Sequence, residues 1–166
     1  MKFKAFLIKY GEIGLKGKNR YLFEDALMRQ IRFALDGAGE FAVNKEQGRI
    51  FVDALSDYDY DEVLERLGRV FGIVAICPVV ECEDNSWDNL TKVTGDYVAS
   101  VYGEKPFTFK VESRRADKRY PKKSMEISAD MGEYLLDRFP NASVDVHHPQ
   151  VLLNIEIREK TYIYSL

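Results

Sequence analysis

Cysteine, histidine and long apolar runs are all scarce in this 166-residue chain, and each scarcity removes a class of function. The two cysteines, Cys77 and Cys82, have no companion pair, and their four-residue separation with no histidine nearby fits neither a zinc site nor a disulfide framework. They read as reduced thiols packed in a core. The two histidines, His147 and His148, are adjacent, so in an extended chain they point to opposite sides and do not chelate one metal together. Pro149 after them marks a turn, which favours a hydrogen-bonding role. No Ser/His/Asp or Cys/His arrangement can be assembled, and the acids between Asp57 and Asp61 read as a solvated helix entrance. Nothing in these residues supplies a convincing nucleophile. The longest apolar runs, such as Ile73 to Ile76, are far too short to cross a bilayer, and no basic-then-apolar signal opens the chain, so a cytoplasmic protein without membrane contact is expected.

There is, however, enough apolar material for real cores: 46% of residues are hydrophobic and 13% aromatic, which suits one ordinary domain or two small ones. Charge is more informative than its total of −3. Lys105 to Lys123 carries eight Lys/Arg against two acids and residues 2 to 20 carry six against one, so two stretches of +6 and +5 leave −14 for the rest. An acidic bulk with two basic patches repels polyanions in general and orients those that do bind.

Periodicity orders the chain. Lys2 to Tyr10 alternates as a strand with apolar residues on both faces. After a glycine-containing segment, Asn19 caps a helix with Phe23, Leu27, Ile31 and Leu35 on one stripe, stopped by Gly37 and Gly39. Phe41 to Val43 and Ile50 to Val52 flank a turn at residues 45 to 49, Asp61 opens a second helix bearing Val63, Leu64, Leu67, Val70 and Phe71, and Ile73 to Val80 is a strand. This is the βαββαβ order of a ferredoxin-like domain, placed at residues 1 to 76. The second domain, 77 to 166 (its profile limits beginning as early as residue 60), is α/β: a helix after Ser86, a strand at Phe107 to Val111, a helix capped by Ser124, and strands at Val144 to Val146, Val151 to Ile157 and Thr161 to Tyr164. The fold class is therefore α+β.

Two stretches suggest anion binding. Gly11 to Arg20 runs from a strand into a helix, but Gly11 and Gly17 enclose five residues where a nucleotide P-loop has four, and Asn19 follows Lys18 where Ser or Thr must meet magnesium. Lys16, Lys18, Asn19 and Arg20 at a helix N-terminus suit a backbone phosphate of a larger ligand; a solvated basic turn explains them equally well. In the second stretch, Arg114, Arg115, Lys118, Arg119 and Lys122 surround Tyr120, an aromatic able to stack on a base, and the run enters a helix N-terminus. RNA is the favoured ligand, although neither an RNP-type strand nor a GxxG clamp is present.

The order Lys9-Tyr10-Gly11-Glu12-Ile13-Gly14-Leu15-Lys16-Gly17-Lys18-Asn19-Arg20 closely resembles the opening of the tRNA 4-thiouridine synthetases, or tRNA sulfurtransferases. Phe109-Lys110-Val111, Arg114-Arg115-Ala116-Asp117-Lys118, Tyr120-Pro121, Val144-Asp145-Val146-His147-His148-Pro149 and Asn154 to Arg158 resemble the THUMP domain of the same family. The resemblance implies a ferredoxin-like domain and a THUMP domain that together hold tRNA, the acceptor end on THUMP. It also implies a PP-loop domain, absent from this chain, that uses ATP and magnesium to activate uridine 8 and carries a cysteine receiving sulfur from a cysteine desulfurase. Homodimers of the full-length enzyme, and a link to thiamine as well as 4-thiouridine biosynthesis, are further implications. Neither Cys77 nor Cys82 matches the family's reactive cysteine. The rivals are a THUMP module serving another RNA-modifying enzyme and a non-catalytic protein-interaction module of ferredoxin-like fold.

Overall fold

The computed structural model describes residues 3–11, 19–46 and 49–166, and it divides into two units, Phe3–Pro78 and Val79–Leu166. In the first, the apolar alternation of Phe3 to Ile8 leaves residues of both faces buried on strand β1 (Ala5–Tyr10). The chain continues through α1 (Asn19–Ala34), β2 (Phe41–Glu46), β3 (Arg49–Ala54) and α2 (Tyr60–Gly68) into β4 (Ile73–Cys82), whose residues to Pro78 belong to this unit. The strands lie in the order β2-β3-β1-β4, with β1 and β2 both antiparallel to β3. That is the expected ferredoxin-like arrangement. Its core joins Phe6 and Ile8 of β1 to Leu27 and Ile31 of α1 and to Val63 and Leu67 of α2. Each such side chain contributes roughly 1.5–3 kcal/mol by leaving water.

Three local expectations are corrected here. The hairpin strands are longer than expected, with paired register running from Phe41↔Ala54 to Glu46↔Arg49, so cross-strand pairing extends to the two residues beside Gln47 and Gly48; those two lie outside the described residues. The α2 cap is Asp59, not Asp61: its carboxylate accepts the Glu62 N–H at 3.1 Å, and Asp61 sits within the first turn. Phe71 is 87% exposed, because α2 ends at Gly68 and the helical period that would bury it ends too. Gly72, at φ +97°, then turns the chain into β4 and accepts the Gly11 N–H at 3.1 Å.

The second unit contains the end of β4, then α3 (Trp87–Tyr102), β5 (Phe107–Arg115), α4 (Ser124–Arg138), β6 (Ala142–Val144), β7 (Val151–Ile157) and β8 (Thr161–Ser165). Strand order is β4-β8-β7-β5-β6. The β5 strand is parallel to both β6 and β7, while β8 runs antiparallel to β7 and to the end of β4. Alternation buries Phe107, Phe109 and Val111 on one face of β5, and α4, packed on that strand, buries Ile127, Met131 and Leu135 at helical spacing. Ser86 occupies the N-cap position of α3, but its hydroxyl makes no cap bond; the Asp84 carboxylate accepts the Ser86 N–H at 2.9 Å. Lys123, not Ser124, holds the N-cap position of α4, and Glu126 reaches back to the Lys123 N–H at 3.5 Å. Strand β6 stops at Val144, where the Asp145 carboxylate gathers the N–H groups of His147 and His148 at 3.0 and 2.9 Å. Cys77 and Cys82 are buried free thiols whose pKa values burial pushes up.

Candidate nucleic-acid interface

Arg114 and Arg115 are the last residues of β5, in register with Glu156 and Ile157 of β7, so the pleat sends their side chains to opposite faces. This divides their roles. Arg114 is exposed, and among the described residues its guanidinium has no hydrogen-bond or ion-pair partner. Arg115 is half-buried and turns inward, its Nη1 donating to the carbonyls of Lys118 and Tyr120, both at 2.9 Å. The strand expected at Phe107 to Val111 thus runs on to Arg115, because parallel pairing with β7 persists that far and the Ala116 N–H still reaches Ile157 O at 2.8 Å.

The loop that follows is held locally. Arg119, almost fully exposed, forms a fork with the Asp117 carboxylate at 3.0 Å from Nη2, and that hydrogen bond is the main reason the Asp117 pKa is lowered. Tyr120 donates its hydroxyl to Asn85 O at 2.8 Å, and burial raises its pKa. The ammonium of Lys122 pairs with Asp130 at 2.5 Å and lies 4.3 Å above the Trp87 ring. Lys118 and Lys123 are exposed, with no partner for either ammonium among the described residues. The unengaged cations here are therefore Arg114, Lys118 and Lys123, a narrower set than the sequence indicates.

Arg114 also lines a groove of about 790 Å³ between β5 and α4. It exists because β6 pairs only with Phe107–Phe109, leaving the same edge of β5 uncovered beyond that point. Arg114, Ser113, Ser124 and Ser128 supply polar groups; Met125 and Val146, both exposed, supply apolar walls. Lys110, Glu112 and Glu133 line the groove as well, and apolar walls mixed with polar groups suit a planar heterocycle attached to a charged backbone. Periodicity offered no sign of this groove, since it depends on where β6 stops.

In the first unit, Lys16 and Lys18 lie outside the described residues. Asn19 and Arg20 are exposed at the start of α1, with Asn19 already helical. Sequence reasoning missed Glu24, which is only 2% exposed. Tyr10 donates to its Oε2 at 2.7 Å, and the Arg20 Nε and Lys45 Nζ each lie 3.4 Å from Oε1. Burial, then the bond to Glu24, raises the Tyr10 pKa. A visible signal existed: Glu24 is four residues from Arg20 and falls on the stripe of Leu27 and Ile31. Among the described residues, no group of three or more His, Cys, Asp or Glu side chains is placed to hold a metal ion.

Comparison with known proteins assigns both units. The family model described as "ThiI ferredoxin-like domain" matches residues 5–77, and the THUMP domain model matches residues 84–166. The chain belongs to the THUMP family. Its two domains together match the N-terminal region of tRNA sulfurtransferases. A probable tRNA sulfurtransferase of Lachnoclostridium phytofermentans is 56% identical over 163 residues, covering 98% of this chain and 42% of that protein. The probable tRNA sulfurtransferase of Lachnospira eligens is 58% identical over 166 residues, covering 99% of this chain and again 42% of the relative. This THUMP-containing chain thus spans under half the length of these curated relatives. Among solved structures, a 4-thiouridine synthetase–RNA complex with bound ATP superposes with a TM-score of 0.76 at 30% identity, over 99% of this chain and 41% of the other.

Proposed function

We propose that this chain is the tRNA-binding half of a tRNA 4-thiouridine synthetase, presenting tRNA for ATP-dependent sulfur transfer to uridine 8 by a PP-loop domain outside residues 1–166. The observation that carries the reading is the trio of unengaged cations, Arg114, Lys118 and Lys123, of which Arg114 also lines a groove with apolar walls. The matched THUMP model and the RNA bound in the related 4-thiouridine synthetase structure support the same ligand class. Arg114, Lys118, Lys123 and the exposed Arg119 neutralise phosphates of the acceptor stem, and the α4 N-terminus adds unpaired N–H groups to the field. The groove takes an unstacked base of the single-stranded 3′ end between Met125 and Val146. Lys16, Lys18, Asn19 and Arg20 hold a second stretch of backbone, so two modest sites act on one long ligand. ATP and magnesium serve the PP-loop domain, sulfur arrives there from a cysteine desulfurase, and the full-length enzyme acts as a homodimer in the cytoplasm.

Titration with intact tRNA and with tRNA lacking its 3′ end tests the assignment. Intact tRNA should bind more tightly. Arg114→Ala should flatten the slope of log affinity against log salt by about 0.7–0.9, the value of one phosphate contact. Equal affinity for the two RNAs, together with an unchanged slope in Arg114→Ala, would refute it.

A further inference from the structure

The basic loop makes more hydrogen bonds to its own scaffold than a solvated charge run requires. The Arg115 guanidinium bridges the Lys118 and Tyr120 carbonyls, both at 2.9 Å, and the Tyr120 N–H donates to Asp117 O at 3.2 Å. The Tyr120 hydroxyl crosses to Asn85 O at 2.8 Å. Asn85 is itself immobilised: its Nδ2 donates to Arg158 O at 3.0 Å and Glu159 O at 3.3 Å, and its Oδ1 accepts from the Thr161 hydroxyl at 2.6 Å. One path of hydrogen bonds therefore runs from the β7–β8 turn through the start of α3 into the basic loop.

We propose that Asn85, Tyr120 and Arg115 form a brace that holds Arg114, Lys118 and Lys123 in one fixed arrangement, so that Arg115 and Tyr120 are positioning residues for RNA and not contacts with it. The proposal rests on the RNA-binding reading above. Two facts favour a brace over direct contact. Arg115 is directed to the opposite face from Arg114 and spends Nη1 on two carbonyls that have no other use for a cation. Tyr120 has its polar end committed at a backbone carbonyl and is half-buried, which leaves it poorly placed to stack on a base. A pre-ordered loop binds more tightly because the ordering cost is met on folding instead of on association.

Tyr120→Phe separates the alternatives, since it keeps the ring and removes only the hydroxyl. Two measurements are made: tRNA affinity across a salt series, and amide hydrogen exchange of residues 116–120 in the free protein. The brace predicts that Tyr120→Phe weakens tRNA binding about threefold to tenfold, the scale of one hydrogen bond, with an unchanged salt slope. Exchange at the Tyr120 amide should accelerate by a similar factor. Arg115→Ala should show the same pattern, and the double variant should be scarcely weaker than Arg115→Ala alone because both act through one element. Wild-type affinity in Tyr120→Phe would overturn the brace, as would an Arg115→Ala slope flattened by about 0.7–0.9, which would make Arg115 a phosphate ligand. If the wild-type protein binds no tRNA, the functional reading fails, and the exchange experiment on the free protein still decides whether the brace exists; unchanged exchange in both variants rejects it.

Discussion

Replacing Glu24 is the most demanding test of the first unit. A carboxylate only 2% exposed on a helix otherwise buried through Leu27 and Ile31 survives by virtue of its partners: the Tyr10 hydroxyl at 2.7 Å, and Arg20 and Lys45 at 3.4 Å. In Glu24→Ala the three donors lose their acceptor. Arg20 and Lys45 are 48% and 38% exposed, so water re-solvates them and each pair counts for less than about 1 kcal/mol. The charge-assisted bond from Tyr10 accounts for roughly 1.5–3 kcal/mol, and the total is about 2–4 kcal/mol. Glu24→Gln keeps an acceptor for Tyr10 and should cost about half as much. Urea unfolding of the two variants and of Tyr10→Phe measures this, and a Glu24→Gln/Tyr10→Phe cycle isolates the pair. The Glu24 variants also make a counterintuitive prediction for RNA: each removes a negative charge yet should not tighten binding, because Arg20 loses the carboxylate that orients it. A Glu24→Ala cost below about 0.5 kcal/mol, the value for an exposed helix position, would refute the reasoning.

Asp59→Ala should cost about 1 kcal/mol by freeing the Glu62 N–H, whereas Asp61→Ala should cost far less; thermal melts of the pair distinguish them. Met131→Ala, which empties a fully buried position on α4, should destabilise the second unit by about 2–5 kcal/mol in denaturant unfolding. Stability should fall in alkali: burial raises Cys77 and Cys82 above 9.0 and Tyr10, Tyr58, Tyr60 and Tyr120 above 10.0. The neutral forms are favoured in the fold, so their contribution is intact below those values and is lost as pH rises through the folded-state ones. Melting temperature measured from pH 8 to 11 should decline, and a flat profile would contradict this.

Much of the fold was legible because each element carries its own period. Leu27 and Ile31 on α1, Val63 and Leu67 on α2, Phe107, Phe109 and Val111 on β5, and Ile127, Met131 and Leu135 on α4 are all buried as their spacing requires. Errors gathered at element ends, where one or two residues of neighbouring structure decide: Asp59 in place of Asp61 as a cap, and β5 prolonged to Arg115 by pairing with β7.

The sequence alone determined the order of the elements, the position of the two basic stretches and the family resemblance, because hydrophobic period, local charge and motif spacing are properties of neighbours along the chain. It did not determine which cations are available. Arg114 and Arg115 are adjacent and chemically identical, yet the pleat turns one outward and the other onto its own loop. Lys122 looked as exposed as Lys118 until Asp130 and Trp87, eight and thirty-five positions away, were brought beside it. The groove likewise follows from β6 ending after three residues. These outcomes depend on contacts between segments distant in sequence, and only the tertiary structure decides those.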